Sequence, residues 1–239
     1  MVRLFFSCAV FGCGLIGAVG GVNAQSLEPR AFINTPIGVN FLLAGYQASR
    51  GALVFDPAVP ITDANADVDM GLLGYVRTLD VAGKSAKAGF LLPYAWLSAN
   101  GYLDGDFRTR ETDGLADPTF YFTLNVYGAP ALTLEEFKDY EQDTIIGFTF
   151  KVTVPLGNYD PDKLINISTN RWAIEPGLGI SRALGNWILE ASAAASFYTD
   201  NDDFENGKTR SQDPVYSTQF HVTYTFPRKI WAAVGATYY

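Results

Sequence analysis

Apolar and polar residues alternate one by one along several stretches of the chain, and a period of two predicts β-strands. The alternation is clearest in residues 215–226, where Phe220 and its neighbours two residues away form an apolar face and Gln219 belongs to a polar one. It recurs in residues 144–154 and 117–126. An all-β protein follows from this pattern, and the choice between a soluble sandwich and a membrane barrel rests on further features.

Strand length and the chemistry of the polar faces favour a transmembrane antiparallel up-and-down β-barrel. Most predicted strands have the roughly 9–11 residues that a tilted strand needs to cross a bilayer, or a little more. Their polar faces carry threonine, serine, asparagine and isolated charges, which suit a wet lumen. The predicted strands are residues 37–49, 67–79, 87–98, 116–127, 143–155, 170–183, 187–199, 214–226 and 230–239.

The connections alternate in length, as the long outer loops and short periplasmic turns of membrane barrels do. Long polar connections are predicted at residues 50–66, 99–115, 156–169 and 200–213, and tight ones at 184–186 and 227–229. The exception is 128–142, in which residues 132–140 could form a small helix. Aromatic residues near the strand ends are typical of interfacial girdles: Trp96, Tyr127, Trp172, Trp187, Tyr198, Tyr216, Phe226 and Trp231.

Nine strands is an odd number, whereas bacterial single-chain barrels have even numbers with both termini in the periplasm. The expectation is therefore a barrel that is incomplete at its C-terminus, with about three strands of a twelve-strand-like barrel following Tyr239. An error of one strand in the boundaries is the alternative.

The N-terminus has the features of a cleavable signal peptide. A short basic start containing Arg3 precedes an uncharged apolar run, and Val22-Asn23-Ala24 fits the small-x-small rule for cleavage. Residues 1–24 are thus a predicted signal peptide and 25–239 the barrel domain, located in the outer membrane of a Gram-negative bacterium. A lipoprotein signal ending at Cys13 is a weaker alternative, because Phe11 is bulky and the site comes early.

Composition excludes several classes of protein. Both cysteines lie in the predicted signal peptide, so the mature chain has no thiol for a disulfide or a thiolate metal site. Arg3 is the only charged residue of the predicted signal peptide. Its removal makes the formal charge of −8 more negative by one unit. That acidity argues against nucleic acid as a partner. No mature stretch approaches the roughly 18 apolar residues of a membrane helix.

If the apolar face of every strand meets lipid, the opposite faces supply candidates for the lumen and the substrate path. They are Asp69, Tyr75, Arg77, Asp117, Tyr121, Lys151, Arg171, Glu175, Glu190 and His221. A ladder of both charge signs with tyrosines could form a constriction that orients a small solute. The alternative is that these side chains pair with one another and fill a narrow barrel.

Catalysis and metal binding find little support. His221 is the only histidine, lies in the middle of a predicted strand and has no Gly-x-Ser-x-Gly nucleophile motif to serve, so we expect no enzyme. The acidic run of residues 200–205 lacks the glycine and terminal glutamate of the calcium-hand motif and is expected to be a solvated loop. No cofactor is expected.

Several short motifs, taken in order, resemble the outer-membrane transporters of the phenol-degradation meta-pathway family. They are Asp56-Pro57, Gly114-Leu115-Ala116-Asp117-Pro118, Asn170-Arg171-Trp172 and residues 35–41, 127–132 and 155–160. The resemblance covers nearly the whole mature chain. It implies an outer-membrane channel for small, often aromatic or hydrophobic compounds, and members that usually contain several more strands.

The expected function is passive uptake of a small hydrophobic or aromatic compound across the outer membrane, with lipid and the solute as partners and the oligomeric state open. No plug domain or energy-coupling segment is recognised before the first predicted strand. The alternative is a barrel that transports nothing and serves as a surface receptor, adhesin or structural protein through its long loops.

Overall fold

The computed structural model describes residues 29–52, 61–205, 207–227 and 230–239. The predicted signal peptide and its cleavage point near Ala24 lie outside these residues. None of the helices in the described residues is long and apolar enough to cross a membrane.

One large antiparallel sheet contains most of the chain, which confirms the predicted fold class. Its strands lie side by side in the order β1-β2-β3-β5-β6-β7-β8-β11-β12, with β4 also paired to β3. A separate two-stranded sheet joins β9 and β10. The strands are β1 Asn40–Ala52, β2 Ile61–Val81, β3 Lys84–Leu103, β4 Asp106–Leu115, β5 Thr119–Tyr127, β6 Thr144–Thr153, β7 Ala173–Leu184, β8 Trp187–Tyr198, β9 Asn201–Phe204, β10 Lys208–Arg210, β11 Val215–Thr225 and β12 Trp231–Tyr238.

The sheet occupies nine strand positions, because β4 and β5 follow one another along the edge of β3. β4 pairs with residues 94–103 of β3 and β5 with residues 86–91. The pairing with β3 shifts by one residue between β4 and β5. Odd-numbered residues of β4 and odd-numbered residues of β5 therefore lie on opposite faces of the sheet. Among the described residues β1 and β12 form the two edges of the sheet.

Turn chemistry explains the tightest connection. Val81 pairs with Lys84, and the two residues between them, Ala82 and Gly83, have φ angles of 51° and 76°. Two successive positive φ angles define the type I′ turn, whose twist matches that of the strands it joins. The same geometry recurs at Asp104 and Gly105, with φ angles of 53° and 85°.

Two predicted connections contain more structure than expected, and a third contains a shorter helix. The predicted loop 99–115 is wrong, because β3 continues to Leu103 and returns as β4. Residues 200–213 contain the β9–β10 hairpin, and the predicted helix at 132–140 is a single 3₁₀ turn, Glu136–Asp139. In β4 both faces are polar, so its sequence lacks the hydrophobic alternation by which the other strands are recognised.

The predicted alternation of loop lengths is confirmed in its main feature. One end of the sheet, the long-loop end, carries residues 154–172 and the β9–β10 hairpin. The opposite short-turn end carries Ala82-Gly83 and residues 185–186, together with 128–143. The chain enters β1 from the short-turn end.

The outer face of the sheet is apolar along its middle. Leu178 on β7 is 61% exposed, and its cross-strand partners are Phe148 on β6 and Ala193 on β8. Most of the predicted girdle residues also lie on this face, including Trp187, whose ring lies 4.7 Å from that of Tyr224. Tyr198 and Trp231 are the exceptions, since both face the concave side, where each lies beneath an arginine.

Candidate functional site

A short segment that precedes β1 lies on the concave face of the sheet. We call residues 29–37 the N-terminal segment. Its contacts come from Lys87 on β3, Gly147 on β6, Gly179 on β7 and Glu190 on β8. Side chains from strands so far apart can meet one segment only if they surround it, so this face is the interior of the barrel. The segment therefore lies inside the barrel.

Phe32 anchors the N-terminal segment. Its side chain is 1% exposed and packs with Ala129 and Ile145. Gly147 and Gly179 are cross-strand partners, and a Cβ atom added to either would lie 2.4 Å or 2.1 Å from the Phe32 ring. The two glycines therefore form a slot for the aromatic ring, because a side chain at either position would occupy the space of the ring.

Glu190 fixes the backbone on either side of this ring. Its carboxylate accepts hydrogen bonds from the N–H groups of Arg30 at 2.5 Å and Phe32 at 3.4 Å. Lys87 Nζ donates to the carbonyl oxygen of Ala31 at 3.1 Å. The Arg30 guanidinium lies over the Trp231 ring at 5.5 Å, and burial lowers its pKa although the charge of Glu190 acts in the opposite direction.

Three predicted lumen residues form one row nearer the long-loop end. Tyr121, Lys151 and Glu175 are successive cross-strand partners on β5, β6 and β7. Lys151 Nζ lies 2.8 Å from Glu175 Oε1, and the Ser196 hydroxyl donates to the other carboxylate oxygen at 2.7 Å. A charge pair with a hydroxyl and a phenol beside it can bind polar groups of a passing solute.

Arg171 lies beyond this row, two residues before the start of β7. It is 8% exposed, and its guanidinium lies over the Tyr198 ring at 4.8 Å. Its Nη2 donates to the side-chain oxygen of Gln212. Burial lowers the pKa of Arg171, and the positive charge of Arg210 lowers it further.

His221 faces the interior opposite Glu190 on β8. The Cβ of a residue other than glycine at position 235 would lie 2.4 Å from its ring, so Gly235 provides its space. No hydrogen bond joins His221 to any side chain of the described residues.

Asp117 has a structural role that its alternation pattern did not indicate. It lies at the break between β4 and β5, and its carboxylate accepts hydrogen bonds from the backbone N–H groups of Gly157 at 3.0 Å and Thr169 at 2.8 Å. The Ser168 hydroxyl donates to it at 2.6 Å. Asp117 therefore holds the loop of residues 154–172 against the sheet, and the motifs around it pack against each other.

The predicted placement of Asp69, Tyr75 and Arg77 in the lumen is wrong. Their cross-strand partners on β3 are Trp96, Phe90 and Ala88, which continue the outer face. Asp69 lies 2.6 Å from the guanidinium of Arg50, and the Tyr75 hydroxyl donates to Asn40 at 2.6 Å. Asp69 and Arg50 therefore form their ion pair on the outer face of the sheet.

The opposite side of β2 supplies an apolar surface to the interior, which sequence reasoning missed. Leu43 and Leu91 lie on either side of Gly74, 3.2 Å and 2.7 Å from the position its Cβ would take. We call the inward apolar residues of β1, β2 and β3 the apolar wall: Phe41, Leu43, Val68, Met70, Leu72, Val76, Leu91, Pro93 and Leu97. We call the inward residues of β5, β6, β7, β8 and β11, most of which are polar, the polar wall.

A curved antiparallel sheet with an apolar outer belt, aromatic girdles and a partly polar interior defines the fold of an outer-membrane β-barrel. A solved structure of this class, an outer membrane channel from Pseudomonas putida F1, aligns with a TM-score of 0.68 and 23% sequence identity, over 89% of this chain and 76% of that one. A comparison with curated proteins gives no match. The family model described as "Putative MetA-pathway of phenol degradation" matches residues 46–239, and the chain belongs to this family.

Proposed function

We propose that this protein is an outer-membrane channel for the passive uptake of small compounds that combine an apolar or aromatic part with a polar group. The observation that carries this proposal is the division of the interior into an apolar wall and a polar wall. Fold and family membership support an outer-membrane channel in general, and the two walls suggest which solutes it passes.

The two walls offer different interactions to a solute. Leu43, Leu72 and Leu91 offer aliphatic surface on one side. Lys151 and Glu175 offer charge and hydrogen bonds on the other. A wholly apolar solute would leave the polar wall unsatisfied, and a strongly hydrated one would gain nothing from the apolar wall. An amphipathic small molecule such as a phenol can contact both at once.

Passage requires the solute to pass the N-terminal segment, which occupies the interior near the short-turn end. Phe32 and the Glu190 contacts hold this segment, so they set the cross-section of the path. Movement down a concentration gradient is the only driving force in this proposal.

Reconstitution into liposomes tests the proposal. Liposomes containing the folded full chain should swell in a solution of phenol or a small neutral sugar, without any energy source. Leu72→Asn changes the apolar wall and should slow phenol entry several-fold while sugar entry changes little. Thr109→Asn, at the exposed distal part of β4, is the matched control and should behave as the unsubstituted protein does.

Folded protein that supports no solute entry would contradict the proposal and favour a surface receptor, adhesin or structural role through the long loops. Folding is checked independently by heat-modifiable migration on a gel. Sedimentation with outer membranes tests the location, and recovery in a soluble fraction would contradict it.

A further inference from the structure

Arg171 is a buried cation whose donors are only partly used. Its Nη2 donates to Gln212, whereas Nε and Nη1 are buried and have no hydrogen-bond partner among the described residues. A buried donor without an acceptor costs about 1–3 kcal/mol, and more when it is charged. The site therefore has an unmet demand for an acceptor, and an anion would satisfy it best.

The neighbouring charges do not meet this demand. Glu175 is engaged by Lys151 and Ser196. Asp200 acts on Arg171 only through its charge, without an ion pair in the described residues, and Arg210 adds positive charge. The guanidinium plane is held against Tyr198, so its orientation does not depend on a bound partner.

We infer that Arg171 binds the carboxylate of a small organic anion that enters from the long-loop end. This inference rests on the proposed channel function and narrows its solute class. A planar guanidinium matches the geometry of a carboxylate, and Arg171 remains charged at any physiological pH because an arginine has so high an ordinary pKa. Lys151, deeper on the same face, offers the next positive charge along the path.

Benzoate and benzyl alcohol are suitable probes because they have nearly the same shape and differ in charge. Isothermal titration of the detergent-solubilised full chain should show benzoate binding at least tenfold more tightly than benzyl alcohol. Arg171→Gln should weaken benzoate binding tenfold or more, and Arg171→Lys should have a smaller effect. Arg108→Gln is the control, since Arg108 is exposed in the β3–β4 hairpin, where it pairs with Asp106.

Equal binding of the two probes, no benzoate binding, or unchanged benzoate binding by Arg171→Gln would overturn the inference. If Arg171→Gln does not fold, the comparison of benzoate and benzyl alcohol on the unsubstituted protein tests the inference by itself. Solute entry into liposomes without preferential benzoate binding would overturn this inference alone. Benzoate binding without entry of any solute would overturn the channel function and leave the Arg171 site in place.

Discussion

Glu190 on β8 accepts a hydrogen bond from the backbone N–H of Phe32, although the two residues lie 158 positions apart in the chain. The same carboxylate binds the N–H of Arg30, and Lys87 donates to the carbonyl between them. This carboxylate and the slot around the Phe32 ring thus hold the N-terminal segment in the barrel together. The negative charge of Glu190 also acts on the cationic side chains of Arg30 and Lys87.

Glu190→Gln should loosen the N-terminal segment. A neutral amide accepts less strongly than a carboxylate, and hydrogen bonds to charged groups contribute about 1.5–3 kcal/mol. We expect trypsin to cleave after Arg30 about tenfold faster or more, which corresponds to the lower end of that range. Mass spectrometry of the digested folded protein measures this rate. Glu175→Gln is the control, and equal cleavage of Glu190→Gln and the unsubstituted protein would contradict the expected role.

Gly179→Ala should force Phe32 out of its slot, because the new Cβ would lie 2.1 Å from the ring. Overpacking of this kind typically costs about 1–3 kcal/mol. In a Phe32→Ala background the same change should cost almost nothing, and the difference gives a coupling energy by double-mutant cycle. Urea unfolding measures each variant. Gly51→Ala, whose Cβ meets nothing within 4 Å, is the control, and additive costs would argue against the slot.

Lys151→Met should destabilise the barrel more than Glu175→Gln. Loss of Lys151 leaves the more deeply buried Glu175 carboxylate with the Ser196 hydroxyl as its remaining donor among the described residues, at a cost of about 1–3 kcal/mol. The double variant Lys151→Met/Glu175→Gln should recover part of this loss. Thermal unfolding followed by gel migration tests the order. In bilayers, Lys151→Met should shift ion selectivity towards cations, and a shift towards anions would contradict the inward position.

Leu178→Arg should destabilise the protein by about 2–4 kcal/mol, the cost of an arginine at the middle of a lipid-facing strand. Leu178→Phe keeps an apolar side chain at the same position and should be nearly neutral. Unfolding in lipid bilayers measures both. Similar stability of the two variants would show that this face does not meet lipid.

The strands themselves were predictable because a period of two reports directly which residues share a face. Residues 215–226, 144–154 and 117–126 contain strands close to the predicted positions. Period alone does not say which face is inside. In β2 one face carries Asp69 and Tyr75 and the other Leu72 and Val76, and the rule that apolar residues meet lipid chose the wrong one.

Some features of the candidate site left a trace in the sequence that could have been recognised. Gly147 and Gly179 each interrupt an alternating strand, and a glycine inside a strand often marks a close approach by another group. Nothing local indicates that the approaching group is Phe32, because the contact joins residues more than a hundred positions apart. The burial of Arg171 could likewise not be predicted, because it depends on Tyr198 and Gln212, which only the fold brings beside it.

The sequence by itself determined an all-β, membrane-type barrel, the alternation of its loops and which residues of each strand share a face, because these follow from local alternation. The tertiary structure decided which face of β2 points inward, that the N-terminal segment lies in the interior, and that Arg171 is buried with unused donors. Each of these depends on cross-strand register and on contacts between distant segments, for which the order of residues along the chain contains no local signal.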